Sequence, residues 1–350
     1  MLTNDTQIRA ALPSDEASLL QLAAHLDSVN LPNDRSAIRR LLRLSEQSFS
    51  GEQPASCDSR YLFILELGGK VVGTSCIVRQ LGSHEAPYIY FDTIPEERYS
   101  RDLNLHFQHT ILRLGFSYDG PTELAGLVVD PAHRRTKTKP GLCISYARFL
   151  YIAARRALFQ DELLAELLPP LEADGTSHLW DALGRRFTQM SYRDADRLSH
   201  DNKDFIRDLF PRGVIHASLL SPEAQAVIGE VGQQTKGVER MLRRIGFRYA
   251  DRVDPFDGGP HFTCKTDDVA PIRDFKQRSL RVDEQVIKGI EGAPKKSQLL
   301  GTVRKRPPYF LATPLFSAQE DDAEELVAPP SIFEALQLND GDPVFTIPMP

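Results

Sequence analysis

The spacing of apolar positions changes along this chain in ways that separate helices from strands. From Gln7 the run IRAAL reads as a strand and Pro13-Ser14-Asp15 as a turn. A helix follows, capped by Ser14 or Asp15, with Leu19, Leu20 and Leu22 on its apolar stripe. Ile38, Leu41, Leu42 and Ser45 fall on one face of a second helix, predicted from about Arg35 to Gln47. YLFILEL and VVGTSCIVRQL are rich in β-branched and aromatic residues and meet at Gly68-Gly69-Lys70, which predicts a hairpin. The stretch from Tyr88 to Thr110 is polar and aromatic, and its pattern assigns no pairing.

ELAGLVVD has the continuous apolar character of a buried strand and stops at Asp130-Pro131. A basic loop, AHRRTKTKPG, leads into a long helix expected from Leu142 to about Phe159, with Ile144, Phe149, Ile152 and Ala153 inside. Beyond it, LLAELLPPLEADGTSHLWDALGRRF gives a strand-like run, a turn and a helix, and VIGEVGQQTKGVERMLRRIGFRYADRV repeats helix followed by strand. Between Arg273 and Pro308 the chain turns basic and polar. FLATPLFSA, IFEAL and DGDPVFTIPM then read as a small β-rich module, with Asp340-Gly341 as a turn. These elements predict an α+β fold divided into a core domain, residues 1–266, and a C-terminal β-rich module, residues 267–350.

Composition narrows the function classes. With 350 residues, 41% hydrophobic and 26% charged, the chain is long enough to bury a sizeable core. No window approaches the ~18 consecutive apolar residues of a membrane span, and residues 1–15 lack the basic start and apolar run of a signal peptide, so a cytoplasmic protein is expected. A net charge of −6 gives no reason to expect nucleic acid or an anionic membrane as partner. Cys57, Cys76, Cys143 and Cys264 lie far apart with no Cys-x-x-Cys pair, which argues against structural zinc and a disulfide framework; no metal is expected.

The basic loop is the most informative segment. A helix N-terminus offers backbone N–H groups and partial positive charge to a pyrophosphate, Arg134, Arg135, Lys137 and Lys139 add full charges, and Gly141 lets backbone approach. A solvated basic loop is the plainer alternative. A dinucleotide-binding loop fits poorly, because no Gly-x-Gly-x-x-Gly follows a strand and no Gly-Lys-Ser/Thr P-loop occurs.

The series ELAGLVVDP, SYARFLYIAARR, LLAEL, LWDALGRRF, ADRL, FIRDLFP, LLSPEAQAVIGEV, GFRY and DPFDGGP, in that order from Glu123 onward, resembles the arginine N-succinyltransferases of the GNAT acyltransferase superfamily. The resemblance implies a GNAT-like mixed, splayed sheet flanked by helices, with a small C-terminal barrel-like module. It also implies transfer of succinyl, or another acyl group, from its CoA thioester to the amino group of arginine or a related small molecule. In that architecture the loop from Arg134 to Gly141 would grip the coenzyme A pyrophosphate, and the backbone of Leu127, Val128 and Val129 would hold thioester and pantetheine. Glu123 and Glu166 would be the carboxylates placed to act as base or to bind a cationic acceptor. The chain departs from the family pattern in three places. Lys139-Pro140 stands where glycines are usual, Leu168-Pro169 where Arg-Gly is usual, and Gly232 where the family has a histidine that is a candidate for catalysis. His216, or His178, is a candidate replacement. Cys143 reads as a packing residue, and Arg185 and Arg186 either as partners for a succinyl carboxylate or as solvated helix charge. A homo-oligomer, or pairing with a paralogous subunit, fits the family, and a non-catalytic regulatory subunit is the competing reading.

Overall fold

The computed structural model describes residues 6–24, 31–52, 54–134, 136, 139–172, 175–199, 204–282, 296–317 and 324–350. The chain opens with β1 (Thr6–Ala10), α1 (Glu16–Ala23) and α2 (Arg35–Ser50), followed by β2 (Arg60–Leu67), β3 (Lys70–Val78), β4 (Tyr88–Ser100), β5 (Leu105–Ser117) and β6 (Thr122–Val129). Next come α3 (Pro140–Ala154), β7 (Glu162–Glu166), the short helices α4 (Arg185–Thr188), α5 (Tyr192–Ser199) and α6 (Asp204–Leu209), β8 (Ile215–His216), α7 (Pro222–Val227) and α8 (Lys236–Arg244). The chain ends with β9 (Arg248–Val253), β10 (Pro260–Lys265), α9 (Ala270–Arg273), β11 (Lys276–Val282), β12 (Lys296–Val303), β13 (Phe310–Ser317), β14 (Glu325–Ala328), α10 (Pro330–Leu336) and β15 (Pro343–Met349). The α+β class is the expected one.

Local chemistry accounts for several boundaries. Asp34 caps α2 by accepting from the Ala37 amide at 2.7 Å, and Gly51 ends it at φ 66°. The β2–β3 hairpin pairs Leu67 with Lys70 across Gly68 and Gly69, both at positive φ, the geometry of a primed two-residue turn. Asp15, expected as a helix cap, is instead buried. Its carboxylate accepts from Arg9 and from the Leu12 amide, at 2.7 Å each, and makes no side-chain cap bond to α1. α3 stops at Ala154, earlier than expected, and the chain continues through a short turn at Arg156–Leu158.

By packing, the chain divides into two compact units, one of residues 1–79, 124–161 and 266–350 and the other of residues 80–123 and 162–265. In the first, strands run in the order β14-β11-β15-β12-β13-β1-β2-β3, followed by β6. β11 and β14 are parallel, and β13 pairs antiparallel with β1, so the C-terminal strands extend the N-terminal ones. α3 is buried along nearly its whole length, and its one buried cation, Arg148, donates to Ser145 Oγ at 2.7 Å within the helix. Around Tyr151, the rings of Phe49, Tyr61, Phe63, Phe159 and Phe310 pack with centroids 5.1–6.0 Å apart, joining all three chain segments of this unit. Each such pair adds about 0.5–1.5 kcal/mol beyond area burial.

In the second unit the strand order is β7-β10-β9-β4-β5-β8, and the first residues of β6 lie parallel to β7 with Thr122 beside Leu163 and Glu123 beside Leu164. Its core centres on Trp180, stacked on Phe256 at 5.0 Å and packed with Phe91, Leu179 and Phe210. The unassigned stretch from Tyr88 is the long β4–β5 ribbon, in register from Tyr88–Ser117 to Ser100–Leu105.

Candidate active site

Strand alternation builds one polar face in the second unit. Glu123 is paired with Leu164, and Glu166 is paired with His261 across the β7–β10 ladder. Paired residues, and residues two apart, share a face, so Glu123, Leu164, Glu166 and His261 point the same way. Leu164 packs there with Tyr88 and Tyr90 of β4. Glu123 and His261 are buried, at 6% and 0% exposure, whereas the Glu166 side chain reaches solvent at 32%.

His261 ties this face together. Its Nδ1 lies 2.6 Å from the Tyr88 hydroxyl, and its Nε2 lies 3.5 Å from Glu166 Oε1. Burial pushes the Tyr88 phenol far above its ordinary range; the negative charges of Glu166, Asp254 and Glu123 reinforce this and Arg252 opposes it. Tyr88 is therefore a neutral hydrogen-bonding group at any working pH. The Arg252 guanidinium lies 4.1 Å over the Tyr90 ring, and its Nε donates to Asp92 at 3.3 Å. Donor atoms of Glu166, Asp254 and His261 fall within 4.8 Å of one another. The two carboxylates at that spacing can hold the ammonium or guanidinium of an organic cation.

The turn Asp257-Gly258-Gly259-Pro260 sets His261 in place. Gly258 is at φ 80°, and a Cβ at Gly259 would lie 2.5 Å from the Leu167 carbonyl oxygen, so one glycine serves backbone conformation and the other close approach. Asp257 accepts from the Gly259 amide at 2.8 Å, and the Leu167 amide donates to the Pro260 carbonyl at 3.1 Å. Burial and the neighbouring Asp254 carboxylate hold the Asp257 carboxyl well above the usual carboxylate range, which marks it as a structural acid.

In the first unit, Gly126 interrupts β6 at φ 56°, and Gly126 and Leu127 are only partly covered while Val128 and Val129 are buried. Arg134 Nε donates back to the Val129 carbonyl at 2.8 Å, which folds this side chain onto the strand end. Lys139 is exposed, sits at φ 47° and precedes Pro140 and Gly141, the first residues of α3. A glycine adopts that backbone without strain, whereas lysine does so at a cost of order 1 kcal/mol. Arg135 and Lys137 lie outside the described residues.

The remaining candidates are placed elsewhere. His216 is on β8, at the far end of the strand order from β7, paired with Ile111 and 3.8 Å from Glu96. It does not join Glu123 and Glu166. His178 is bonded to Glu172 at 2.7 Å, and Arg185 to Asp181 at 3.1 Å on an exposed helix face. Burial pushes the Cys143 thiol up to about 12, consistent with packing. His261, which directly follows the glycine turn, is the residue that sequence reasoning passed over.

Comparison with known proteins decides the family. Residues 6–271 match the profile of the arginine N-succinyltransferase beta subunit. The chain is 32% identical over 343 residues to an arginine N-succinyltransferase of Citrobacter koseri, covering 96% of each. It is 32% identical over 346 residues to an arginine N-succinyltransferase subunit beta of Pseudomonas aeruginosa, covering 98% of each. The chain belongs to the arginine N-succinyltransferase family. It is accordingly an acyltransferase that draws on an acyl-CoA. In fold it matches the solved arginine/ornithine succinyltransferase subunit AI of Pseudomonas aeruginosa, with a TM-score of 0.82 over 99% of both chains at 24% identity.

Two departures from the family pattern meet in space. The Gly232 amide donates to the Leu168 carbonyl at 2.9 Å, and Thr235 Oγ1 donates to the same oxygen at 3.0 Å. A Cβ at Gly232 would lie 2.6 Å from the Pro169 carbonyl oxygen and 2.9 Å from that of Leu168. The Leu168-Pro169 backbone occupies the space a side chain at 232 would need, so position 232 and positions 168–169 are sterically coupled.

Proposed function

We propose that this protein transfers an acyl group, succinyl as the first expectation, from its CoA thioester to a small cationic amine or amino acid, and that free arginine is a poor acceptor. The observation that carries this reading is the carboxylate-rich face of Glu123, Glu166 and Asp254, built in a member of the arginine N-succinyltransferase family that lacks the usual Arg-Gly and histidine at Leu168-Pro169 and Gly232. Carboxylates at this spacing attract an ammonium or guanidinium, and solvent reaches Glu166 and, in part, Asp254. As the reaction proceeds, the acceptor ammonium first gives one proton to the base. Its lone pair then forms the C–N bond while the C–S pair leaves on sulfur. Of the two protons left on nitrogen, one passes to the thiolate and one stays on the amide. Steady-state turnover with succinyl-CoA and acetyl-CoA across arginine, ornithine, lysine, agmatine and polyamines is the test. Efficient arginine succinylation would refute the change of acceptor, and no turnover with any amine would favour the non-catalytic reading.

The coenzyme A pyrophosphate is assigned to the loop from Arg134 to Gly141. Replacing Arg135 and Lys139 together by alanine is expected to weaken coenzyme A binding by about 1–3 kcal/mol, the scale of lost charge-assisted bonds. Calorimetry with coenzyme A alone reads this directly, and an unchanged affinity would move the phosphate site elsewhere.

The Pseudomonas relative is named as a subunit, and the β4–β5 ribbon gives this chain a means of association. Its outer half exposes Tyr99 (61%), Leu103 (68%), Leu105 (43%) and Phe107 (54%), more apolar surface than a two-stranded ribbon keeps bare in water. A second copy of this chain is the proposed occupant. Sedimentation velocity should show a dimer or larger species that Leu103→Asp with Phe107→Asp reduces to monomer. A monomeric wild type would dispose of the idea. None of the helices among the described residues is long and apolar enough to cross a membrane.

A further inference from the structure

A histidine is absent from its family position, yet another histidine lies beside the same short segment. Gly232 abuts Leu168, two residues along the chain from Glu166, while His261 abuts Glu166 itself. The two positions flank the stretch from Glu166 to Pro169 on either side. The backbone of that stretch closes the first position to any side chain. His261 is fully buried, so it cannot touch an acceptor directly, but Glu166 can.

Building on the acyltransferase reading above, we infer that Tyr88 and His261 form a buried relay behind Glu166, which orients and charges this carboxylate as the proton acceptor in place of the family histidine. Glu166 is the catalytic residue in this assignment, and His261 and Tyr88 are positioning residues.

Electrostatics select the direction of the chain of bonds. The Tyr88 phenol is neutral and carries one proton, which it donates to His261 Nδ1 across 2.6 Å. The imidazole proton then sits on Nε2, facing Glu166 Oε1 at 3.5 Å and the neighbouring Asp254 carboxylate. The other tautomer would aim the Nε2 lone pair at two carboxylates, which is repulsive. The charged and titratable groups acting on the Tyr88–His261 pair are Glu166 on β7, Glu123 on β6, and Arg252 and Asp254 on or just after β9; of these Glu166 and Asp254 face His261 itself. At 3.5 Å the Nε2–H dipole acts on Glu166 through space rather than through a hydrogen bond, and it favours the ionised carboxylate. An arriving ammonium gives one proton to Glu166, which releases it to water at its exposed edge, and the neutral amine then attacks the thioester as described above.

The test compares His261→Leu, His261→Gln and Tyr88→Phe with wild type in the pH dependence of kcat/KM. In the Leu variant Glu166 loses the Nε2–H dipole, so the acidic limb should move to higher pH by about one unit. The Gln variant restores an N–H at the Nε2 position and should return the limb close to that of wild type, and Tyr88→Phe should fall between the two. An unmoved limb in His261→Leu, or Gln behaving as Leu does, would reduce His261 to a packing residue and overturn the relay. Imidazole ¹⁵N resonances of the wild type supply a readout that needs no turnover. The Nε2-protonated tautomer is expected, and the Nδ1-protonated one with intact turnover sinks the relay alone. The expected tautomer without acyl transfer to any amine sinks the acyltransferase reading, and the catalytic role of the relay with it.

Discussion

Glu166→Gln is expected to lower kcat/KM for amine acylation by about 10²–10⁴-fold, the usual contribution of a positioned general base. The amide keeps the size of the side chain and can present its oxygen to His261, so folding should be little affected. It cannot take a proton from the acceptor ammonium, and it removes one negative charge from the proposed cation-binding face. The loss should therefore appear in both kcat and the KM for the amine. Coenzyme A affinity, measured separately, should not change. A loss smaller than tenfold would move the base elsewhere. Glu123, on the same face but only 6% exposed, would be the next residue to replace by glutamine.

Gly232→His, a change toward the family pattern, is expected to destabilise the protein by about 1–3 kcal/mol, the usual cost of forcing atoms into packed space. It should not improve turnover of free arginine. Substitutions toward a family consensus commonly stabilise. Here the new Cβ would sit 2.6 Å from the Pro169 carbonyl oxygen, and backbone cannot rotate away as a side chain can. Chemical denaturation of the single variant and of the triple variant Leu168→Arg, Pro169→Gly, Gly232→His separates the coupled change from a simple clash. The triple variant should regain part of the lost stability, because glycine at 169 frees the segment to move. Equal stability of the single variant and wild type would show that the segment yields at no cost, and the coupling would be withdrawn.

Features that depend on near neighbours along the chain are legible in the sequence. Gly68-Gly69 specifies a turn through φ alone, α2 announces itself by its apolar face, and ELAGLVVD with its basic loop and following helix is a continuous run. The ordered series of motifs from Glu123 to Pro260 places the chain in its family for the same reason. Glu123 and Glu166 can be singled out because the family architecture puts them on adjacent strands, and the register places them on one face. The β4–β5 ribbon escapes the pattern because its outer half is exposed on both sides and carries no alternation to read.

By itself, then, the sequence determined most of the elements, the α+β class and the family, all of which rest on contacts a few residues apart or on a motif string. Only the tertiary structure decided that β13 pairs with β1, that Gly232 lies against Leu168-Pro169, and that His216 stands apart from the carboxylates while His261 stands among them. The physical reason is separation along the chain. Tyr88 and His261 are 173 residues apart, and a lone histidine after a glycine turn carries no local mark of the strand ladder that sets it between a phenol and a carboxylate.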